Sequence, residues 1–380
     1  MIKMKNIKWK QFIVYFILLA VACYFGIGGM QGKLNRSTTI LLEKATVAMI
    51  LVVSLNLVVG FLGELSLGHA GFMCVGAFLG AKLAVFLDSA MGPGNDIAIL
   101  LICLLIGGSA AALCGVVIGL PALRLRGDYL AIVTLAFGEI VRSVFENLPD
   151  EMFGGSLGQK AVRFDRQYLF LFGFALVILT LAAIQNIINS KHGRAVTSIR
   201  DSEIAAHACG INVTKYKLTV FTVSAFFAGV AGVLFAFTKS KVQPSTFDYN
   251  YSIEILVMVV LGGMGNLIGC LISAVAVTCL NELLQVILTG DMAVLRGLIY
   301  ALVMILLIIY RNAPALKGFR ERWSMKNLMA KVKKHDPAKI HDDEAKWDRV
   351  PTKIMVDEVL SVDVQARSPY TPDKPKKEEK

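Results

Sequence analysis

Ten apolar blocks, each near the length of a membrane-crossing helix, leave this chain few other ways to fold. They lie at residues 11–30, 38–62, 66–88, 97–120, 129–147, 168–189, 217–238, 247–264, 267–289 and 293–310. A helix rises about 1.5 Å per residue, so about 20 apolar residues cover the roughly 30 Å hydrocarbon layer. Soluble cores rarely use uninterrupted runs of that length. The chain is also 56% hydrophobic, above the roughly 45–50% of ordinary soluble domains. The expected fold is all-α: a polytopic transmembrane bundle over residues 1–310 with about ten crossings. The blocks at 66–88 and 247–264 are rich in glycine or carry ionisable groups, which marks them as broken or re-entrant helices. Irregular backbone at membrane depth is tolerated only where protein or water covers it. Residues 311–380 are charged and end in PDKPKKEEK, which predicts a cytoplasmic, partly disordered tail.

The net charge of +11 raises nucleic acid as a partner, but its placement argues against one. Lys3, Lys5, Lys8 and Lys10 precede the first block. Arg124 and Arg126 follow the fourth. Lys191, Arg194, Arg200, Lys215 and Lys217 follow the sixth, and a basic stretch begins at Arg311. That is the positive-inside pattern of a multi-pass protein in the bilayer. It places the N- and C-termini in the cytoplasm and makes Gly262-Gly263-Met264-Gly265-Asn266 an inner turn. The first block lacks a small-residue cleavage site, so it reads as a retained helix. Most of the seven cysteines fall in or beside apolar blocks with no C-x-x-C pairing, as small packing residues do.

No catalytic centre is visible. His69, His192 and His207 lack nucleophile-type partners, no metal-ligand cluster occurs, and G-x-x-x-x-G-K-[ST] is absent, so ATP, if used, is bound by another chain. Glu64, His69, Lys82, Glu139, Glu254 and Glu282 lie in or beside apolar blocks. A charge at the bilayer centre costs about 2.5–3.5 kcal/mol on insertion scales. Such groups therefore sit at span ends, in ion pairs or along a pathway. Glu64 and His69 flank Leu65-Ser66-Leu67-Gly68, a helix break. Gly76/Gly80, Gly115/Gly119, Gly265/Gly269, Ala225/Gly229 and Ala228/Gly232 recur at the spacing that lets membrane helices approach closely.

Between two apolar blocks lies a polar island, Ser190 to Lys217. Asp201 is positioned to cap a short helix, Glu203 falls in its first turn, and Gly210 ends it. Such a helix is too short to stand alone. It is either part of a wet connecting loop or a docked handle for a cytoplasmic partner.

Taken in order, four segments resemble the permease subunits of ATP-driven importers for branched-chain amino acids, in particular the M-type subunits. These are Leu55 to Gly60 running into Gly63-Glu64-Leu65-Ser66-Leu67-Gly68-His69-Ala70-Gly71-Phe72; Gly119 to Leu135; Gly193 to Asn212; and Ser252 to Gly269 around Gly262-Gly263-Met264-Gly265-Asn266. Gly154-Gly155-Ser156-Leu157-Gly158 is similar to the family's outer loop. The resemblance covers about residues 38–311. It implies that residues 190–217 form the ATPase-docking loop, with Arg200, Asp201, Glu203, Ala205, Ala206 and Gly210 as coupling residues. It makes Glu64, Ser66, Gly68, His69, Glu254, Gly262, Gly263 and Gly265 the candidates for pathway or helix-break positions. It also implies a second, H-type permease subunit, two cytoplasmic ATPase subunits, an extracytoplasmic binding protein and a bacterial inner membrane, with no cofactor in this chain. Related permeases carry urea, short amides or sugars. An ion-coupled carrier using Glu64, Glu139 and Glu254, or a passive channel, are the rivals from other classes. Arg311-Asn312-Ala313-Pro314-Ala315-Leu316-Lys317-Gly318 and the long tail depart from the family pattern.

Overall fold

The computed structural model describes residues 36–91, 95–125, 127–162 and 166–287, with scattered helical positions between 298 and 309. The expected span at 11–30, most of that at 293–310 and the tail from 311 lie outside the described residues.

Helix α1 (Arg36–Asn56) continues into a π-helical turn, Leu57–Leu62. After an irregular segment come α2 (His69–Met91), α3 (Asp96–Ala122) and α4 (Asp128–Asn147). A short α5 (Asp150–Phe153) and a 3-10 turn, Gly155–Leu157, lead to β1 (Gln159–Lys160). Then follow α6 (Arg166–Asn189), α7 (Lys191–Asp201), α8 (Glu203–Ala208) and α9 (Val213–Thr238). The strand β2 (Lys241–Val242) pairs antiparallel with β1, Gln159 opposite Val242. A 3-10 turn, Pro244–Phe247, precedes α10 (Tyr249–Gly262) and α11 (Leu267–Ile287). The fold is an all-α polytopic membrane bundle.

Six described helices are long and apolar enough to cross a membrane: α1 with its π turn, α2, α3, most of α6, α9, and α11. Helix α4 has the length of a crossing but carries Asp128, Glu139, Arg142 and Glu146. Helix α10 has 14 residues and so covers about 21 Å, short of the hydrocarbon thickness. The expected block at 247–264 is therefore a short helix entered through a buried 3-10 turn at Pro244 and Phe247. The expected break at 66–88 falls at its front edge: residues 63–68 are non-helical and regular helix resumes at His69.

Helix α9 is the axis of the bundle. From Ser224 to Phe237 nearly every residue is buried, because its small residues admit α2 and α3 to backbone contact. A Cβ on Gly76 would sit 2.2 Å from the Gly229 carbonyl oxygen, and one on Gly232 would sit 2.0 Å from that of Met73. Gly115 faces Ala225, and Gly229 faces Ala111. The small-residue spacing in the sequence is thus packing within one chain. Helix α1 is equally enclosed, with Ile50, Leu51, Val52 and Leu55 at 0% exposure, whereas α3 turns Leu101, Leu105, Leu113 and Val117 outward.

Without hydrophobic driving force between helices in lipid, close van der Waals contact carries the packing. A Gly76→Leu substitution is expected to separate α2 from α9 and cost at least the roughly 1–3 kcal/mol of an overpacked core. Thermal unfolding of purified protein followed by size-exclusion chromatography should show a lowered midpoint or lost yield, while Leu113→Ala on the outer face leaves both near wild type.

Candidate functional site: a buried lysine joins the polar loop to a broken helix

The polar island folds as two helices rather than the one expected. Ser190 caps α7, its hydroxyl accepting from the backbone N–H groups of His192 and Gly193. Val196 and Ile199 are buried on one face of α7, while Lys191, Arg194 and Arg200 stay exposed. The cap of α8 is Ser202, not Asp201. Asp201 is still helical at the end of α7, whereas Ser202 is extended (φ −161°, ψ 109°) and its hydroxyl accepts from Ala205 N–H at 3.3 Å. An N-cap needs that non-helical backbone. Asp201 instead pairs with Arg200 at 3.0 Å. Glu203 opens α8, Ala206 is buried and Ala205 exposed. Gly210 closes the motif at φ +80°, with Ile211 N–H reaching back to the Ala206 carbonyl at 3.1 Å. That left-handed turn is glycine's usual role at a helix end.

The end of α1 is the loop's counterpart. The π turn at Leu57–Leu62 stops at Gly63, which adopts φ +82°. A helix that stops there leaves the carbonyls of its last turn without intrahelical partners. Arg200 fills one such vacancy: its Nη1 donates to the Gly60 carbonyl at 3.2 Å. Its aliphatic stem lies over Gly63, where a Cβ would meet Arg200 Cγ at 2.6 Å. Gly60 also abuts the turn after α10. The Gly265 N–H donates to Asn56 Oδ1 at 2.9 Å, and a Cβ on Gly60 would lie 2.2 Å from Gly265 N. Gly263 and Gly265 have φ of +97° and +79°.

Lys217 ties these parts together. It projects from the first turns of α9 with its side chain 3% exposed. Its Nζ meets Glu64 Oε1 at 2.6 Å and Glu203 Oε2 at 3.4 Å. A buried ammonium is tolerated only with partners, and here the helix break supplies one carboxylate and the loop supplies the other. Arg200, Glu203, Glu64, Gly263 and Gly265 therefore belong to one junction, with Gly262 packed one turn away against Cys270 and Gly269.

Ser66, Gly68 and His69 belong to a neighbouring polar layer. His69 Nε2 lies 2.9 Å from Ser54 Oγ, and Ser224 Oγ donates to the Ser54 carbonyl at 2.7 Å. Ala70 N–H donates to Ser252 Oγ at 3.1 Å, and Leu67 N–H to Thr134 Oγ1 at 3.0 Å. Ser66 is buried beside them. The Leu67 and Ala70 N–H groups, in and just after the irregular segment, thus find hydroxyl partners on α4 and α10, as membrane depth demands. Glu254 lies apart from both clusters. It lines a cavity of about 220 Å³ with Lys44, Lys239, Tyr251 and Glu282, where Lys44 pairs with Glu282. Glu139 pairs with Arg142 on its own helix, and Lys82 donates to the Glu151 carbonyl. Among the described residues no three His, Cys, Asp or Glu side chains are placed to hold a metal ion.

Lys217, Asn56, Ser54, Ser224, Ser252 and Ser202 were not singled out by the sequence as site residues. Lys217 counted there only as a topology charge. The sequence put it at the edge of the block 217–238, whereas the helix begins one turn earlier at Val213 and encloses it.

A multi-pass bundle with irregular backbone at its heart, and a polar two-helix loop fastened to that backbone, defines a membrane permease. Residues 37–308 match the family model described as branched-chain amino acid transport system / permease component. The chain is 35% identical over 357 residues to the high-affinity branched-chain amino acid transport system permease protein LivM of Escherichia coli, covering 86% of this chain and 79% of that one. Its counterpart in Salmonella typhimurium is 33% identical over the same shares. A probable branched-chain amino acid transport permease LivM of Methanocaldococcus jannaschii is 23% identical over 72% of this chain and 79% of its own. No solved structure matches. The chain belongs to the branched-chain amino acid transport permease family, whose members are transport subunits rather than enzymes.

Removing Lys217 alone strands Glu64, which is only 14% exposed. Lys217→Met should therefore destabilise the fold by about 3 kcal/mol, within the range for breaking one side of a buried pair. The double substitution Lys217→Met with Glu64→Gln should recover much of that loss, as a double-mutant cycle of unfolding midpoints will read. Gly265→Leu, forced into a left-handed backbone beside Gly60, should lower the yield of folded protein, whereas Met264→Leu at its exposed neighbour should not.

Proposed function

We propose that this chain is the M-type permease subunit of an ATP-binding-cassette importer and forms half of a translocation path for branched-chain amino acids. A second, H-type permease supplies the other half. Two cytoplasmic ATPase subunits bind and hydrolyse the ATP, so this chain carries no cofactor, and an extracytoplasmic protein delivers the substrate. The names of the relatives support the substrate class. The distribution of basic residues supports an inner-membrane topology with Ser190–Lys217, and both termini, in the cytoplasm.

The observation that carries the reading is the junction at Lys217. In such an importer the α7–α8 pair is the surface an ATPase would grip. Ile204 is 80% exposed on α8, next to Glu203 whose carboxylate is held by Lys217. A displacement of α8 would pull on Lys217 and the start of α9. Through Arg200 it would pull on Gly60, Gly63 and the Gly265 turn. Discrete rearrangements of this kind, rather than gradual bending, are how packed helices transmit motion. Of the carboxylates an ion-coupled carrier would use, Glu64 is held by Lys217 and Glu139 by Arg142, while Glu254 lines the cavity that also holds Lys44, Lys239 and Glu282.

Glu203→Lys should abolish ATP-dependent uptake in vesicles that contain all partners, while membrane insertion stays at wild-type level. Gly210→Val, strained at φ +80° though no atom lies within 4 Å, should do the same, and Gly210→Asn should retain most activity because asparagine tolerates the left-handed region. Uptake that survives Glu203→Lys, or that runs without ATP and collapses with an ionophore, would refute the importer reading.

A further inference from the structure

Beside the junction, a cleft of about 350 Å³ opens between the end of α6, the buried-face side of α7 and the first turns of α9. Its walls are Leu57, Ile187, Val196, Val220 and Val223, which make it mostly apolar. Its polar side chains are Ser190, His192, Lys215, Tyr216 and Thr219, and along α9 the cation Lys215 comes first and the valines Val220 and Val223 last. The cleft therefore grades from cationic to hydrocarbon-like along α9. Lys215 and Val223 are separated by about 12 Å of helix rise. Tyr216 lies between them, its ring 5.8 Å from that of His192.

We propose that this cleft binds an anionic phospholipid of the surrounding bilayer, with the headgroup phosphate on Lys215 beside His192, and one acyl chain along Val220 and Val223. Three observations favour that occupant. The cleft lies where two apolar spans, α6 and α9, meet the polar loop, the change from apolar to polar chain at which a lipid headgroup would sit. Its charge is of one sign: α6 and the first half of α9 contain no carboxylate, and the one on α7, Asp201, is paired with Arg200. Lys215 lines it, and Lys191 and Arg194 are exposed on α7, the helix that contributes His192 and Val196 to its wall. Basic clusters beside a span attract anionic lipid electrostatically, and the positive end of the α7 dipole, capped at Ser190, adds to the same field. The apolar walls select a lipid over a free phosphate, which would leave them wet.

The location gives the lipid a consequence. Leu57 is the first residue of the π turn whose Gly60 carbonyl receives Arg200, and Val196 lies one turn before Arg200 on α7. An acyl chain in the cleft packs against both sides of the loop–helix junction and holds them together.

The test uses the full chain in nanodiscs containing phosphatidylglycerol or phosphatidylcholine probes with a photoreactive acyl chain, followed by mass mapping of the adducts. The phosphatidylglycerol probe should label peptides spanning Ile187–Val196 and Lys215–Val223 several-fold more than the phosphatidylcholine probe. Lys215→Glu should erase that preference. Val223→Trp, which fills the apolar end, should reduce labelling by both probes, with circular dichroism and a monodisperse elution profile reporting that each variant is folded. Equal labelling by the two probes, labelling indifferent to both substitutions, or adducts showing another polypeptide seated in the cleft would overturn the proposal. The labelling requires no transport partner, so its outcome is separate from that of the importer reading.

Discussion

A lysine ammonium cannot be left alone in a low-dielectric interior, and Lys217 is almost completely enclosed. That single constraint organises one end of the molecule. The lysine needs carboxylates, and the two it finds belong to two separate segments. Glu64 sits just past the end of the π turn, on backbone that has left its helix. Glu203 begins a six-residue helix too short to hold its own shape. With Lys217 between them, the irregular backbone, the loop and the start of α9 share one anchor. Arg200 adds a second fastening at Gly60, and the Asn56–Gly265 hydrogen bond extends it to the turn between α10 and α11.

The rest of the bundle makes that anchor useful. Gly76, Gly229 and Gly232 draw α2 against α9 at backbone distance, so motion at the foot of α9 is passed to α2 without slack between them. The polar layer around Ser54, His69, Ser224 and Ser252 lies directly beyond the junction. The hydroxyls of Ser252 and Thr134 satisfy backbone N–H groups at the helix break, and the layer as a whole is built of hydroxyls and an imidazole rather than charges. Exchangeable hydrogen bonds of this sort can be remade in a second arrangement, whereas an unpaired charge at the same depth could not.

Much of this was legible in the sequence where the signal is local. Glu64-Leu65-Ser66-Leu67-Gly68-His69 announced a break because polar and flexible residues interrupt an apolar run, and the structure leaves helix there. The turn at Gly262–Asn266 was legible for the same reason, as two of its glycines adopt positive φ. The small-residue pairs announced close packing, though not which helix each would meet. The capping of α8 was misassigned because Asp201 and Ser202 are adjacent and both suited to a cap, and backbone conformation alone chooses between them. Helix α7 was missed because Gly193 and its basic residues look like solvated loop, while its stability comes from burying Val196 and Ile199 against other helices. The pairing of Lys217 with Glu64 was beyond local reading altogether, since the partners are 153 positions apart. A π turn differs from an α turn by one residue and leaves no compositional mark.

The claim that the loop and the broken helix move as one body is open to direct measurement. Spin labels at Leu65 and Ile204, both exposed, and at Leu157 on the opposite end, would be placed in a background lacking exposed Cys209. Pulsed electron-electron distances would then be recorded in the complex with the proposed ATPase partners, with and without ATP. The account requires the Leu65–Ile204 distance to stay fixed across nucleotide states while the Ile204–Leu157 distance changes. A Leu65–Ile204 distance that shifts or broadens on ATP binding, with Lys217 intact, would contradict it.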